Sequence, residues 1–176
     1  MPETPAVVAF VAVGSNIDPE RNVPAALGLL MSHETVTAVS THYRTAPLDR
    51  PEQPPYVNGV WRVETQRDPR SLKHDILRAI ETRLGRVRTG DAHASRSIDL
   101  DLIAYGDVVS NEPGLLLPDP DIERRPFLAV PLVELSPDFR LPGRSERLAD
   151  HAVCRRAHEL APMPELTRQL KEMIGS

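Results

Sequence analysis

Apolar and polar positions alternate along the chain in a way that predicts four strands and two helices in the order βαββαβ. A continuous apolar run ends in Gly14-Ser15-Asn16, which is typical of a buried strand that enters a tight turn. Three further segments are rich in β-branched or alternating apolar residues. The predicted strands are 6–13, 36–43, 56–65 and 98–105.

Each of the two helices is predicted to begin at an aspartate followed by a proline, the pairing typical of an N-cap and a first helical residue. These starts are Asp18-Pro19 and Asp68-Pro69, and Gly85 is predicted to end the second helix. Apolar residues then recur at helical spacing, which predicts one buried stripe on each helix. The stripes consist of Val23, Ala26, Leu27 and Leu30 in the first helix, and Leu72, Ile76, Ile80 and Leu84 in the second.

The rest of the pattern completes a single-domain architecture over 1–176. It predicts a short hairpin and three further helices, over 108–116, 127–135, 144–160 and 165–174. Residues 44–55 contain four prolines and predict an irregular loop, and the polar, arginine-bearing residues 86–95 predict a mobile one. We therefore expect an α+β fold: a ferredoxin-like antiparallel sheet with helices packed on one face, plus a short hairpin and C-terminal helices.

Composition and charge narrow the possible function classes. The net charge is −4, which gives no global basic field and argues against general nucleic-acid binding. Cys154 is the only cysteine, so a disulfide framework and a thiolate zinc site are excluded. No apolar run approaches the length of a membrane span, and the first residues lack a positively charged leader. A cytoplasmic protein is therefore expected.

Asp99 and Asp101 lie two residues apart in the fourth predicted strand, so both carboxylates are expected on one face. Ile98, Leu100 and Leu102 fall on the opposite face. Two unpaired carboxylates at this separation repel each other, and Mg²⁺ bound between them would relieve the repulsion. A solvated polar face is the simpler and commoner explanation of an isolated Asp-x-Asp, so the surrounding segments have to decide.

An arginine-bearing loop precedes this strand, with Arg86 and Arg88 at its start and Arg96 at its end. Guanidinium groups form paired, charge-assisted hydrogen bonds with phosphate oxygens, and such a loop can close over a polyphosphate and exclude water. A solvated basic loop is the alternative explanation. If the first explanation holds, the arginines predict an anion site beside Asp99.

Two other segments are candidates for a binding pocket. Thr45-Ala46-Pro47-Leu48 is a proline-stiffened loop followed by Tyr56 and Asn58, and the amide of Asn58 offers a donor and an acceptor to the edge of a flat heterocycle. Residues 118–127 combine acids and arginines between prolines. An ordinary turn hydrogen bond and a rigid surface loop are the respective alternatives. Together with the carboxylates and arginines, these segments favour phosphoryl-type transfer without a Walker-type loop.

Five segments occur in a characteristic order and spacing. They are Val13-Gly14-Ser15-Asn16, Tyr43-Arg44-Thr45-Ala46-Pro47-Leu48, Gln53-Pro54-Pro55-Tyr56-Val57-Asn58, Gly85-Arg86-Val87-Arg88 and Arg96-Ser97-Ile98-Asp99-Leu100-Asp101-Leu102. Because of these segments and their order and spacing, the chain resembles the 6-hydroxymethyl-7,8-dihydropterin pyrophosphokinase family of folate biosynthesis. The resemblance covers residues 8–141 and leaves a helical tail over 142–176.

The resemblance implies that ATP transfers its β,γ-diphosphate to the hydroxymethyl group of a reduced pterin and leaves as AMP. It implies two Mg²⁺ ions held by Asp99 and Asp101, with Arg86 and Arg96 as further catalytic residues. The implied ATP-binding residues are Glu81, Arg86, Arg88, Arg96, Leu102, Asp119 and Arg125. The implied pterin-binding residues are Thr45, Ala46, Leu48, Tyr56, Asn58 and Phe127.

The chain departs from the family pattern on the nucleotide side. Ala92 and His93 stand where a basic residue and a tryptophan are usual, Asp119 stands in place of a histidine, and Gly114 and Leu116 replace polar residues. A carboxylate near a polyphosphate repels it unless it binds metal or turns outward. These departures predict an altered nucleotide affinity or identity.

Two alternative functions remain open at this point. One is a divergent paralogue that binds a pterin or a nucleotide with an altered substrate or weak catalysis. The other is an RNA-binding module of the same fold, which is less favoured because the chain is only 4% aromatic and net acidic. We expect ATP and a reduced pterin as small-molecule partners, with no nucleic acid, no membrane and no obligate protein partner.

Overall fold

The computed structural model describes residues 2–47 and 49–175. The strands are β1 (Val7–Ser15), β2 (Thr35–Val39), β3 (Tyr43–Thr45), β4 (Tyr56–Thr65), β5 (Asp99–Tyr105), β6 (Ser110–Glu112), β7 (Leu115–Leu117) and β8 (Ala161–Pro162). The helices are α1 (Pro19–Met31), α2 (Pro69–Ser71), a π-helical segment (Leu72–Leu77), α3 (Arg78–Arg83), α4 (Pro126–Leu135) and α5 (Pro164–Met173). Three 3₁₀ segments follow β7 and α4, at Pro120–Glu123, Leu148–Asp150 and Ala152–Glu159. No helix within the described ranges is both long and apolar enough to cross a membrane.

The strands form one antiparallel sheet and one separate hairpin. β5, β1, β4, β3 and β8 lie side by side in that order, and β2 also pairs with β4. Each of these pairings is antiparallel. β6 and β7 form the hairpin, whose first strand begins two residues later than predicted. The predicted combination of an antiparallel sheet, helices and a short hairpin is confirmed.

Helices cover both faces of the sheet, whereas we expected them on one face. Ala9, Val11 and Val13 of β1 belong to a first core with α1, α3 and α5. Phe10 and Ala12 belong to a second core with α4 and the 3₁₀ segments that follow it. β1 is therefore buried on both faces, and burial on both faces is why its sequence is an uninterrupted apolar run.

The second predicted helix forms, but it is not α-helical throughout. Its middle segment, Leu72–Leu77, is π-helical, a geometry that inserts one extra residue into the helix. Leu72, Ile76 and Ile80 are buried as predicted. Gly85 follows with a φ of 82°, the left-handed conformation in which glycine commonly ends a helix. Three of the four predicted stripe residues are thus buried, whereas Leu84 is only partly buried and Leu77, which was not predicted, is buried. The extra residue of the π-helical segment is not revealed by spacing alone.

Two local predictions near the start of the chain were wrong in detail. Asp18 precedes α1, but its φ of 44° is left-handed and its carboxylate makes no cap; its carbonyl oxygen instead accepts a bond from Asn22 N at 2.9 Å. The strand predicted over 36–43 is divided into β2 and β3. Ser40 lies at this break, where its Oγ accepts a bond from Val60 N at 2.9 Å in place of a ladder carbonyl.

The tail contains one predicted α-helix instead of two. The helix predicted over 165–174 is present as α5. The helix predicted over 144–160 is replaced by two 3₁₀ segments, so that prediction was wrong. The buried residues there are Leu148, Val153 and Leu160, whose spacing does not form a continuous α-helical stripe. Short 3₁₀ turns instead direct Leu148 and Val153 into the second core.

A buried histidine ties the sheet to the tail. Trp61 Nε1 donates to His42 Nε2 at 3.2 Å, and His42 Nδ1 lies 3.0 Å from the Ser40 carbonyl oxygen, which assigns the ring proton to Nδ1. Burial lowers the pKa of His42 from 6.5 to about 4, so the ring is neutral near neutral pH. The His42 backbone also bonds the tail, accepting from Met163 N and donating to Thr167 Oγ1.

Gly59→Ala should lower the free energy of unfolding by about 2 kcal/mol, because its β-carbon would overlap a packed ring. That carbon would lie 2.4 Å from His42 Nε2, and the ring cannot shift without breaking its bond to Trp61. Urea unfolding measures the change. Gly90→Ala is the control, since nothing lies within 4 Å of its β-carbon. Equal losses in the two variants would contradict the steric explanation.

Candidate active site

Three neighbouring strands bring functional side chains together at one end of the sheet. Gly14 of β1 is in register with Asn58 of β4 on one side and with Asp99 of β5 on the other. A β-carbon on Gly14 would lie 3.1 Å from Asn58 Oδ1 and 4.0 Å from Asp99 Cβ. The glycine therefore leaves space between the two side chains and forms part of a cavity of about 300 Å³. This volume falls at the lower end of small-molecule sites.

Five of the residues predicted to bind a pterin line this cavity: Thr45, Ala46, Tyr56, Asn58 and Phe127. Asn58 Nδ2 donates to Thr45 Oγ1 at 2.7 Å, which orients the amide with its oxygen towards Gly14. Tyr56 is half-buried, and desolvation raises its pKa, so the phenol keeps its proton. Leu48, the sixth predicted residue, lies outside the described residues. The structure brings the other five together around one space, and their binding role stays a prediction.

Asp99 lies at the cavity wall between two arginines of the preceding loop. Arg96 Nη1 lies 2.6 Å from Asp99 Oδ2, and Arg86 Nη1 donates to Asp99 Oδ1. The Arg86 side chain is only 11% exposed, so it is held inside the protein against this carboxylate. One carboxylate thus positions two guanidinium groups beside the cavity.

Glu81 of α3 connects the helix to the same ion-pair network. Its carboxylate accepts bonds from Leu100 N at 2.9 Å and from Arg86 Nη1 at 3.0 Å, and it pairs with Arg88. Burial raises the pKa of Glu81, and these contacts oppose the rise. Desolvation lowers the pKa of Arg86, but Asp99 and Glu81 outweigh it and the net pKa is raised. Glu81 is not at the cavity surface; its contacts orient the arginines.

Asp101 is the least compensated carboxylate of the site. No described residue forms an ion pair or a hydrogen bond with its carboxylate. The region around Asp99, Asp101 and Asp119 is called the cleft below. Desolvation there, followed by repulsion from Asp99, Glu81 and Asp119, raises the pKa of Asp101 to about 7. Its side chain nevertheless stays exposed to solvent. The carboxylate is therefore accessible, and no described residue pairs with it directly.

The carboxylates of β5 fit a hard divalent cation. Asp99 and Asp101 provide only oxygen donors, which Mg²⁺ prefers, and a cation would relieve the repulsion that Asp101 experiences. In residues 2–47 and 49–175, no group of three or more histidine, cysteine, aspartate or glutamate side chains could hold a metal. Phosphate oxygens and water would therefore have to complete the coordination, as is common for Mg²⁺ in nucleotide sites.

The remaining residues predicted for the nucleotide are less closely gathered. Arg125 lines the cavity. Leu102 is only 4% exposed within the first core, so its side chain is not available for the predicted contact. Asp119 caps the 3₁₀ segment Pro120–Glu123 by accepting a bond from Asp121 N at 2.8 Å, while its charge still acts on Asp101. Asp119 therefore has a structural contact that the sequence did not reveal.

Two residues of the arginine loop at which the chain departs from the family pattern lie at the cavity. Ala92 and His93 line the same cavity as the predicted pterin residues. The loop reaches this position because Gln53 Nε2 donates to the His93 carbonyl oxygen at 2.7 Å, and Arg50 pairs with Asp91 at 2.7 Å. In this structure the loop folds over the cavity, and the nucleotide-side role of Ala92 and His93 stays a prediction.

Asn16 is a site residue to which the sequence reasoning assigned no role. Its Oδ1 accepts a bond from Arg96 N at 2.7 Å, and its own N donates to the Arg96 carbonyl oxygen at 3.1 Å. The Asn16 amide nitrogen also lies 3.3 Å from Ser95 Oγ and 3.4 Å from Gln53 Oε1. These bonds fix the end of the arginine loop to β1. The signal was present in Gly14-Ser15-Asn16, a polar turn directly after a buried strand.

Comparison with known proteins shows which family this chain resembles in sequence. A family model described as 7,8-dihydro-6-hydroxymethylpterin-pyrophosphokinase matches residues 10–137. A Haemophilus influenzae protein named 2-amino-4-hydroxy-6-hydroxymethyldihydropteridine pyrophosphokinase is 34% identical over 154 residues, which cover 82% of this chain and 95% of that protein. A Pseudomonas aeruginosa protein of the same name is 38% identical over 137 residues, covering 76% and 83% of the two chains.

A solved structure supports the fold independently. The crystal structure of an HPPK-DHPS protein in complex with substrates superposes with a TM-score of 0.64 at 12% identity. The superposition covers 96% of this chain and 45% of that chain, and at this identity it concerns the fold alone. Because the family match spans most of the chain and relatives above 30% identity are covered along most of their length, the chain belongs to the 7,8-dihydro-6-hydroxymethylpterin-pyrophosphokinase family.

Proposed function

We propose that this protein transfers the β,γ-diphosphate of ATP to the hydroxymethyl group of 6-hydroxymethyl-7,8-dihydropterin and releases AMP, a step of folate synthesis. Membership of the family supports the reaction. The observation that carries it is a single cavity lined by Thr45, Tyr56, Asn58 and Phe127 next to Asp99. A flat polar ring placed in that cavity would have its substituents close to the carboxylates and arginines that phosphoryl transfer requires.

The proposed reaction is an in-line displacement at the β-phosphorus. The hydroxymethyl oxygen forms a bond to this phosphorus, and the bond from the phosphorus to the oxygen shared with the α-phosphate breaks. AMP leaves with that oxygen, and the hydroxyl proton is released to water in the cleft. The protein has little covalent chemistry to perform, so positioning and charge stabilisation account for the rate.

The arginines stabilise the charge that spreads over the transferred group. Arg86, Arg96 and Arg125 lie at or beside the cavity, and each can form two hydrogen bonds to phosphate oxygens. Arg86 and Arg96 would exchange the Asp99 carboxylate for phosphate, which frees Asp99 for other ligands. Glu81 limits this movement, since it pairs with both Arg86 and Arg88 from inside the protein.

We further propose that Asp99 and Asp101 hold two Mg²⁺ ions. The oxygen-only donor set and the accessible, unpaired Asp101 carboxylate support this assignment. When bound, the metal ions neutralise negative charge on the triphosphate. The protein's own contribution is to keep the two carboxylates on one face of a buried strand, where the strand pairs with β1.

Three broader expectations also remain proposals. We propose that the core is of the ferredoxin-like type, which the order β5-β1-β4 with β2 and β3 beyond β4 supports. We also propose that residues 1–176 act as one domain, a view supported by the tail's contacts with the first core. The cytoplasmic location stays a prediction from the sequence.

Incubation of the purified protein with ATP, Mg²⁺ and 6-hydroxymethyl-7,8-dihydropterin should release one AMP for each pterin diphosphate formed. Omission of the pterin should stop AMP release, and EDTA should stop it if the metal proposal is correct. Binding of the pterin without any AMP release would overturn the proposed reaction and select the binding-only paralogue.

A further inference from the structure

Lys73 shares a helix face with Glu81 because of the π-helical segment. Lys73 lies eight residues before Glu81. In a continuous α-helix this spacing corresponds to about 800° of rotation, which would separate the two side chains by about 80°. Since the π turn takes up one residue, the spacing acts as about seven residues, or two helical turns. Lys73 therefore lies on the helix face from which Glu81 reaches the Leu100 N of β5.

The contacts of Lys73 agree with this direction. Its Nζ donates to the Gly114 carbonyl oxygen at the tip of the β6–β7 hairpin. Its positive charge also opposes the rise in the pKa values of both Asp101 and Asp119. Arg70, three residues earlier, pairs instead with Glu112 on β6. Lys73 is thus the residue through which this helix presents a cation to the two carboxylates.

Cations are unevenly distributed around the cleft. On the loop side, Asp99 is paired with both Arg86 and Arg96. On the hairpin side, Asp101 has no ion-pair partner among the described residues, and Gly114 and Leu116 carry no charge. A triphosphate that extends over Asp101 towards the hairpin would meet negative charge there. Mg²⁺ held by Asp101 would offset part of this negative charge, and a protein cation on the hairpin side would offset the part that Asp119 contributes.

We propose that Lys73 is a further ATP-binding residue, whose ammonium group contacts the β- and γ-phosphates from the hairpin side of the cleft. This inference rests on the proposed function. An ammonium group is a compact charge with three donors on a flexible stem, so it can exchange the Gly114 carbonyl for phosphate oxygens without movement of the helix. A lysine on the helix thereby supplies the positive charge that the hairpin itself lacks.

The test is direct binding of an ATP analogue with a methylene group between the α- and β-phosphorus atoms, in the presence of Mg²⁺. Lys73→Met keeps the apolar stem and should weaken this binding about tenfold, equivalent to about 1.4 kcal/mol. AMP lacks the β- and γ-phosphates, so its affinity should change by less than about twofold. Lys73→Arg keeps the charge and should retain most of the analogue binding.

Arg70→Met is the matched control. It removes a cation from the same helix and breaks the other contact to the same hairpin, between Arg70 and Glu112. Analogue binding by Arg70→Met should stay at the wild-type level. The proposal is overturned if Lys73→Met binds the analogue as wild type does, if AMP binding falls equally, or if Arg70→Met shows the same loss. AMP release by the wild-type protein tests the proposed reaction, whereas analogue binding to the variants tests Lys73. Failure of the one proposal is therefore distinguishable from failure of the other.

Discussion

Asp101→Asn should lower kcat/KM for AMP release about a thousandfold, equivalent to about 4 kcal/mol of transition-state stabilisation, without lowering the melting temperature. Asparagine keeps the size of the side chain but loses the charge that holds a hard cation. In the free protein Asp101 has no ion pair, and Asp99, Glu81 and Asp119 repel its charge. The neutral amide removes that repulsion, so stability should stay equal or rise while activity falls.

Substitution of either aspartate of β5 should lower activity, but only substitution of Asp99 should lower stability. Asp99→Asn should lose a similar factor in kcat/KM and should also lower the melting temperature, because Arg86 and Arg96 lose their shared partner. Asp107→Asn, in the exposed turn after β5, is the control and should change neither quantity. A near-normal kcat/KM for Asp101→Asn would exclude the metal assignment. A large drop in the melting temperature of this variant would show that Asp101 has a stabilising partner in the folded protein.

Acidification from about pH 7.5 to about pH 5 should remove about 2 kcal/mol of unfolding free energy through His42 alone. Burial lowers the pKa of this histidine from 6.5 to about 4, so the unfolded chain binds the proton more tightly. The contribution is therefore fully present above 6.5 and is lost as the pH falls towards 4. Below that value the loss levels off at about 3 kcal/mol.

Asp101 acts in the opposite direction over the same range, since its raised pKa makes the folded protein bind the proton more tightly. The informative measurement is therefore urea unfolding of wild type and of His42→Gln at both pH values. Glutamine can still accept the bond from Trp61 Nε1, but it does not titrate. The stability advantage of wild type should shrink by about 2 kcal/mol at the lower pH. An unchanged advantage would show that His42 is not a buried neutral base.

Local patterns predicted the features that depend on local sequence. Alternation around Asp99 and Asp101 predicted that their side chains lie on one face of the strand. In the structure, Leu100 and Leu102 pack into the first core from the other face. The strand predicted over 56–65 coincides with β4. A strand has a period of two residues, so one buried face is enough to determine where its polar side chains point.

Features that depend on contacts distant in sequence were missed. Gln53 holds the arginine loop over the cavity at His93, and no spacing within the loop reveals that contact. The π-helical segment contains one residue more than an α-helix would, and its effect is visible only where Lys73 and Glu81 meet β5 and the hairpin. The 3₁₀ segments after Pro142 depend on packing against α4.

The segment that carries the family pattern is shorter than the segment that folds. The family match ends at residue 137. Beyond it, β8 shields the outer edge of β3, and Leu166 and Leu170 of α5 fill the first core beside Leu27 and Leu30 of α1. Trimming at the end of the match would expose both an unpaired strand edge and an apolar helix face, the two surfaces that most readily aggregate. Chimaeras between relatives should therefore exchange this enzyme as a unit that extends through α5.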